Sequence, residues 1–114
     1  MIISYTEKQK DELILKYVKN KTVLDIGCIN HDYRCEKDPK WLHKRIKSYS
    51  KSVVGIDNLE KDAKILNKKG YNLLLKDAEN FYLNKTFDII IAADIMEHLS
   101  NLGSFLNCCH KHLK

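Results

Sequence analysis

Four carboxylates stand out because of what precedes each of them. Asp25 follows Val23-Leu24 and is itself followed by Ile26-Gly27; Asp57 follows Val53-Val54-Gly55-Ile56. Asp77 comes just after Leu73-Leu74-Leu75, and Asp94 comes after Ile89-Ile90-Ile91-Ala92-Ala93. A short apolar run ending in an acid or a glycine is how a buried parallel strand meets a ligand, since open α/β sheets bind small molecules at the carboxyl ends of their strands. Gly27 adds a sharp turn and lets a ligand approach main chain with no Cβ in the way. Carboxylates gathered on one edge repel phosphates and suit a ligand with hydroxyls, amines and a positive centre. No G-x-x-x-x-G-K-[ST] loop offsets them, which argues against a phosphate cradle. Cys28, Ile29 and Asn30 follow Gly27, so the G-x-G-x-x-G dinucleotide fingerprint is missing as well. Asp57 could instead accept two hydrogen bonds from ribose hydroxyls. Each acid could serve merely as a helix cap. Their joint placement on four strand tips favours a binding site.

The elements that must carry these tips read in order. Thr6 as N-cap with Gln9 reaching back forms a capping box, and Leu13, Ile14, Tyr17 and Val18 give residues 7–19 an amphipathic helix. Thr22–Ile26 is a first buried strand, its run apolar rather than alternating, as expected when both faces are covered. Residues 28–38 are polar and without helical period. Asp38-Pro39 predicts a helix start, with Trp41, Leu42, Ile46 and Tyr49 on its apolar face and Lys40, Lys44, Lys47 and Lys51 opposite. Ser52–Ile56 is the second strand. Asn58 caps a helix from Leu59 to Lys69, with Leu59, Ala63 and Leu66 inward and Gly70 at C′. Tyr71–Leu75 is the third strand, and Asn84-Lys85-Thr86 turns into Phe87–Ala92, the fourth. Ser100 caps a last helix with Leu102, Phe105, Leu106, Cys109 and Leu113 on one face. Such alternation implies a parallel, doubly wound sheet with right-handed crossovers.

Length and charge narrow the classes further. A chain of 114 residues with a net charge of +5 has room for one domain, residues 1–114, and only weak general attraction to anionic partners. It has no apolar run long enough to span a bilayer and no charged-then-apolar leader, so the expectation is a cytoplasmic protein. Cys28, Cys35, Cys108 and Cys109 are then reduced thiols. Cys28, His31, Cys35 and His43 have spacings a zinc ion could use, but no C-x-x-C pair anchors them; a small buried cysteine beside a turn is the preferred reading, with no metal. Cys108-Cys109, His110 and His112 lie on one helix, with Cys109 in the core and the rest on the surface. The lysine stripe, with Arg45 and Trp41, is read as a solvated helix face in preference to a nucleic-acid surface.

Taken together, the strand tips resemble class I S-adenosylmethionine-dependent methyltransferases. Val23-Leu24-Asp25-Ile26-Gly27-Cys28 resembles that family's first motif, and Val54-Gly55-Ile56-Asp57 its second strand. Lys76-Asp77-Ala78-Glu79 resembles the third-strand tip, and Phe87–Ala92 with Glu97-His98-Leu99 the fourth strand and its loop. The resemblance implies a Rossmann-like sheet in the order 3-2-1-4, truncated before strands 5 to 7. It implies S-adenosylmethionine as cofactor: Asp25 and Gly27 at the methionine portion, Asp57 at the ribose, Asp77 with its neighbour Ala78 at the adenine, Asp94 beside the methyl-donor pocket, and Cys28 and Asn58 as further cofactor-binding residues. His98 or Glu97 would act as base where the acceptor must lose a proton. The loop departs from the family in having one glycine. Asp25 and Asp57 also lie farther apart than the ~20 positions usual for a nucleotide sheet, the excess being residues 28–38. The expected acceptor is a small molecule or glycan-type metabolite. The alternatives are an RNA substrate and a non-catalytic or truncated binding module. Family members continue with three more strands. The expectation is therefore a piece of a longer domain, or a chain that self-associates through the strand-four edge.

Overall fold

The computed structural model describes residues 7–93 and 95–114. Thr6, expected as an N-cap, and Asp94, expected beside the donor pocket, lie outside the described residues. Four parallel strands form one sheet: β1 (Thr22–Ile26), β2 (Ser52–Asp57), β3 (Leu73–Leu75) and β4 (Ile89–Ile91), ordered β3-β2-β1-β4. Helix α1 (Glu7–Val18) precedes β1, and α2 (Leu42–Tyr49) and α3 (Glu60–Lys68) carry the first two crossovers. Residues 76–88 cross from β3 to β4 without a helix, and α4 (Leu102–His112) follows β4. The expected doubly wound architecture and strand order are both present.

The period-2 alternation of the strands decides what each helix layer meets. Val23 of β1 and Val53 of β2 face α1 and α2, packing with Leu15, Val18 and Ile46. Leu24, Ile26, Val54 and Ile56 face the other way and pack with Phe81, Phe87, Phe105 and Cys108 under α4. A third cluster, Cys28, Ile29, Cys35, Trp41, Ala63, Leu66 and Leu73, closes the sheet beside α3. β1 therefore sends Val23 and Asp25 to the α2 side, and β2 pairs Gly55 with Asp25 on that same side.

Several element details differ from the sequence expectation. The helix expected at Pro39 begins at Leu42, because Asp38 closes a local turn instead: its Oδ1 accepts from Lys40 N at 2.8 Å and its carbonyl from Trp41 N at 3.1 Å. Asn58 does not cap α3. The N-cap is Leu59, with no side-chain capping bond, and Asp57 Oδ1 instead holds the turn before the helix, accepting from Asn58 N at 2.8 Å and Leu59 N at 3.3 Å. Ser100 does not cap α4 either; Asn101 does, its side chain accepting from Ser104 N at 2.9 Å. On α4 the buried residues are Phe105, Cys108 and His112, with Cys109 half-buried, so the expected face is turned by one position. The reason is polar as well as apolar: His112 donates from Nδ1 to the Cys108 carbonyl (2.6 Å) and accepts from Leu83 N at Nε2 (2.9 Å). On α1, Leu15 and Val18 are buried, whereas Leu13 and Tyr17 are exposed. The polar loop after β1 contains a 3-10 helix, Tyr33–Lys37, capped by the Asp32 side chain. Among the described residues no helix is long and apolar enough to cross a membrane.

Candidate functional site

The carboxyl ends of β1, β2 and β3 open into a cleft of about 1690 Å³. Asp25, Gly27, Cys28, Asp57, Asn58, Asp77, Ala78, Glu97 and His98 all line it, so the described residues expected at the site are brought together. The cleft lies where the strand order reverses between β1 and its two neighbours, the position at which open α/β sheets bind ligands. Its volume exceeds the 300–1,000 Å³ usual for one small ligand.

Asp25 stands at the β1 tip and is almost buried. Its Oδ2 lies 2.7 Å from Nδ1 of His43 on α2. Gly27 follows with φ +71° and donates from N to the Ile56 carbonyl at 2.9 Å. A Cβ built on Gly27 would lie 3.1 Å from Ile95 Cδ1, so this glycine is needed both for its backbone conformation and for close packing. Cys28 lines the cleft as well. Its thiol points inward, 3.8 Å from the Ile56 carbonyl, and is pushed strongly upward by burial and then by the Asp25 and Asp57 charges. A buried thiol raised in this way stays protonated and packs as a small apolar group. Trp41 Nε1 donates to the Cys28 carbonyl at 2.8 Å, fixing the turn.

Asp57 ends β2 and organises the loop. Its Oδ2 accepts from Ile29 N at 2.9 Å, while Oδ1 takes the two amides at the start of α3. A carboxylate has about four acceptor positions. Three are filled by backbone, which leaves room for one strong donor from a ligand. At the β3 tip, Asp77 Oδ1 accepts from Glu79 N at 2.9 Å, and Glu79 Oε1 accepts from Asn101 N at 2.6 Å, tying this tip to the start of α4. Ala78 packs against the α4-side core. Glu97 and His98 sit on a short 3-10 turn at the rim, 3.6 Å apart and about three-quarters exposed.

His43 is the residue that sequence reasoning missed as part of this site. It is fully buried and shares the α2 face with Ile46, three positions on, a spacing that placed Leu42 and Ile46 inward but said nothing of a histidine between them. Trp41 is buried against His43 and Tyr71, so the lysine stripe has no exposed tryptophan to stack a base. Among the described residues no group of three histidine, cysteine, aspartate or glutamate side chains could hold a metal.

A parallel 3-2-1-4 sheet with acids at successive tips and a glycine turn after β1 defines a Rossmann-like domain. The family profile described as a methyltransferase domain matches residues 24–114, and the chain belongs to that family. It is 25% identical over 107 residues to the probable (S)-tetrahydroprotoberberine N-methyltransferase 2 of Papaver bracteatum, covering 91% of this chain and 30% of that protein. It is 27% identical over 110 residues to the mitochondrial ubiquinone biosynthesis O-methyltransferase of Rattus norvegicus, covering 87% of this chain and 29% of that one. The fold matches the N-methyltransferase NodS of Bradyrhizobium japonicum in complex with S-adenosyl-L-homocysteine, with a TM-score of 0.69 at 17% identity, over 95% of this chain and 57% of that chain. The chain thus spans about a third of the curated relatives it matches.

Proposed function

We propose that this chain binds S-adenosylmethionine at the carboxyl edge of β1, β2 and β3 and serves methyl transfer to a small-molecule acceptor. The observation that carries this reading is the convergence of Asp25, Gly27, Asp57 and Asp77 on one cleft with no phosphate-binding loop. The donor set fits the group. Asp57 retains one acceptor position for a ribose hydroxyl, and Asp77 and Ala78, which line the same cleft, would meet the adenine edge. Asp25 holds a carboxylate near the turn where the cationic methionine end would lie. The cofactor supplies a methyl group on a sulfonium, already a good leaving group. The chain's task is then to align donor and acceptor and to exclude water. The cleft has volume beyond one ligand, which supports a small acceptor beside the cofactor, as do relatives named for N- and O-methylation. His98 and Glu97 stand at the rim as the candidate base, used where the acceptor must lose a proton.

Calorimetric titration of the chain with S-adenosylhomocysteine, and separately with NAD, tests the reading. Saturable binding of the first and none of the second is expected. Preference for NAD, or no response to either, overturns it.

A further inference from the structure

We infer that His43 is a positioning residue for the methionine end of the cofactor, acting through Asp25; the inference rests on the cofactor reading above. Three observations carry it. The first is the pair itself: Nδ1 to Oδ2 is 2.7 Å, with side-chain exposures of 0% for His43 and 5% for Asp25. One carboxylate oxygen is thereby fixed from behind while Asp25 still lines the cleft. The second is the space made for the ring. Gly55 is the β2 register partner of Asp25, and a Cβ there would lie 3.0 Å from His43 Cε1 and 2.6 Å from Cys28 Sγ. A glycine mid-strand weakens a sheet unless something must approach closely. Here the Cys28 thiol and Leu73 Cδ2 do, each at 2.6 Å, and the imidazole is the third group in that space.

The third observation is the other nitrogen. His43 Nε2 is buried with no hydrogen-bond partner. His112, equally buried, uses both nitrogens and needs no ligand to explain it. A second N–H on His43 would have no acceptor, so the arrangement favours the neutral tautomer that donates from Nδ1 alone. His43 then orients the carboxylate without neutralising it. A lysine or arginine in that place would cancel the charge that a ligand's ammonium group needs. Asp25 keeps a fixed direction.

The test compares two ligands that differ only at that end. S-adenosylhomocysteine carries the amino-acid portion, and 5′-methylthioadenosine keeps the adenosine thioether without it. His43→Phe retains an aromatic ring and removes the donor. It is expected to weaken S-adenosylhomocysteine about tenfold, in keeping with a lost hydrogen bond to a charged group, and to leave 5′-methylthioadenosine within about twofold. His43→Asn, whose amide sits near the Nδ1 position, is expected to restore most of the loss. Should His43→Phe fail to fold, His43→Gln replaces it, since its amide reaches past Nδ1. Equal weakening of both ligands, or of neither, overturns the inference. So does wild-type binding of both ligands with the same affinity, which would leave the cofactor reading standing. Wild-type protein that binds neither ligand overturns the cofactor reading itself.

Discussion

Asp57 does two things at once, and its substitution should be read on two instruments. Its carboxylate accepts from Ile29, Asn58 and Leu59 amides, one of which belongs to a buried residue. Asp57→Ala leaves those amides without acceptors, which costs about 1–3 kcal/mol where they cannot reach water. The loop after β1 loses its Ile29 tie to the β2 tip and keeps the one from Gly27 N to the Ile56 carbonyl, and the ribose acceptor is gone too. The expected outcome is a lower denaturant midpoint together with at least tenfold weaker S-adenosylhomocysteine binding. Unchanged affinity in a folded variant removes Asp57 from the site. Gly27→Val combines a β-branched residue at positive φ with a Cβ pressed on Ile95. Loss of stability is expected alongside loss of binding, as read by thermal melting in the absence of ligand. A variant as stable as wild type would mean that Ile95 yields at no cost. Asp25, Gly27, Asp57 and Asp77 were all legible in the sequence because strand tips are announced by apolar runs. His43 was not, because its place beside Asp25 depends on Gly55 in the next element and on the pairing register of β1 with β2.

At the scale of elements, what the sequence hid was mostly a contest between alternative caps. Asp38-Pro39 has the composition of a helix start, yet the Trp41 indole is committed to the Cys28 carbonyl and α2 can begin only beyond it. On α4, Leu102 and Leu106 have helical spacing, but His112 and Cys108 bind the 81–83 segment and set the helix rotation. Buried polar bonds won over apolar count. Two predictions belong here. Gly55→Ala places a methyl 2.6 Å from Cys28 Sγ and from Leu73 Cδ2, and overpacking of a tight core costs about 1–3 kcal/mol. A drop in urea midpoint is expected, and an unchanged midpoint would show the β1–β2–α2 packing to be looser than described. The second prediction concerns the join between β1 and β4. Asp88 Oδ2 accepts from Thr22 N and Oγ1, both at 2.9 Å, while Asp88 N donates back to Thr22. The Thr22 amide, then its hydroxyl, holds the Asp88 carboxyl below the ordinary range, and Arg34 holds Asp32 at about 2. A lowered folded-state value adds stability above the unfolded value near 3.9, and that stability is lost as pH falls through the folded value. The urea midpoint should therefore fall between about pH 4 and pH 2. Asp88→Asn should flatten part of that fall. An identical pH slope in wild type and variant would remove Asp88 from it.

At the scale of the whole molecule, the question is the outer side of β4. Among the described residues β4 pairs with β1 alone, so its other backbone edge is free along Ile89–Ile91. The approach to that edge is partly closed: Phe87 N donates to the His112 carbonyl at 2.7 Å, and Lys114 N donates to the Phe87 carbonyl at 3.1 Å, a parallel bridge of Phe87 with Leu113. The bridge covers only the start of the strand. No charge, proline or bulge blunts Ile89–Ile91, the devices by which natural edges avoid pairing. Leu102 and Leu106 of α4 are exposed, Leu106 by 53%, as is Leu113 just past the helix, and among the described residues nothing covers this stripe. A free apolar edge together with an apolar helix stripe is what a second copy could cover by adding its own β4. We therefore predict that the 114-residue chain self-associates, with a light-scattering mass that rises with concentration from 13.3 kDa toward twice that value. Leu106→Glu lies on the helix stripe and off the cofactor cleft. It should return the mass to that of one chain and leave S-adenosylhomocysteine binding unchanged. A mass that stays at one chain across a hundredfold range of concentration would mean that β4 tolerates its open edge in solution, and that the twist of a four-stranded sheet is enough to protect it.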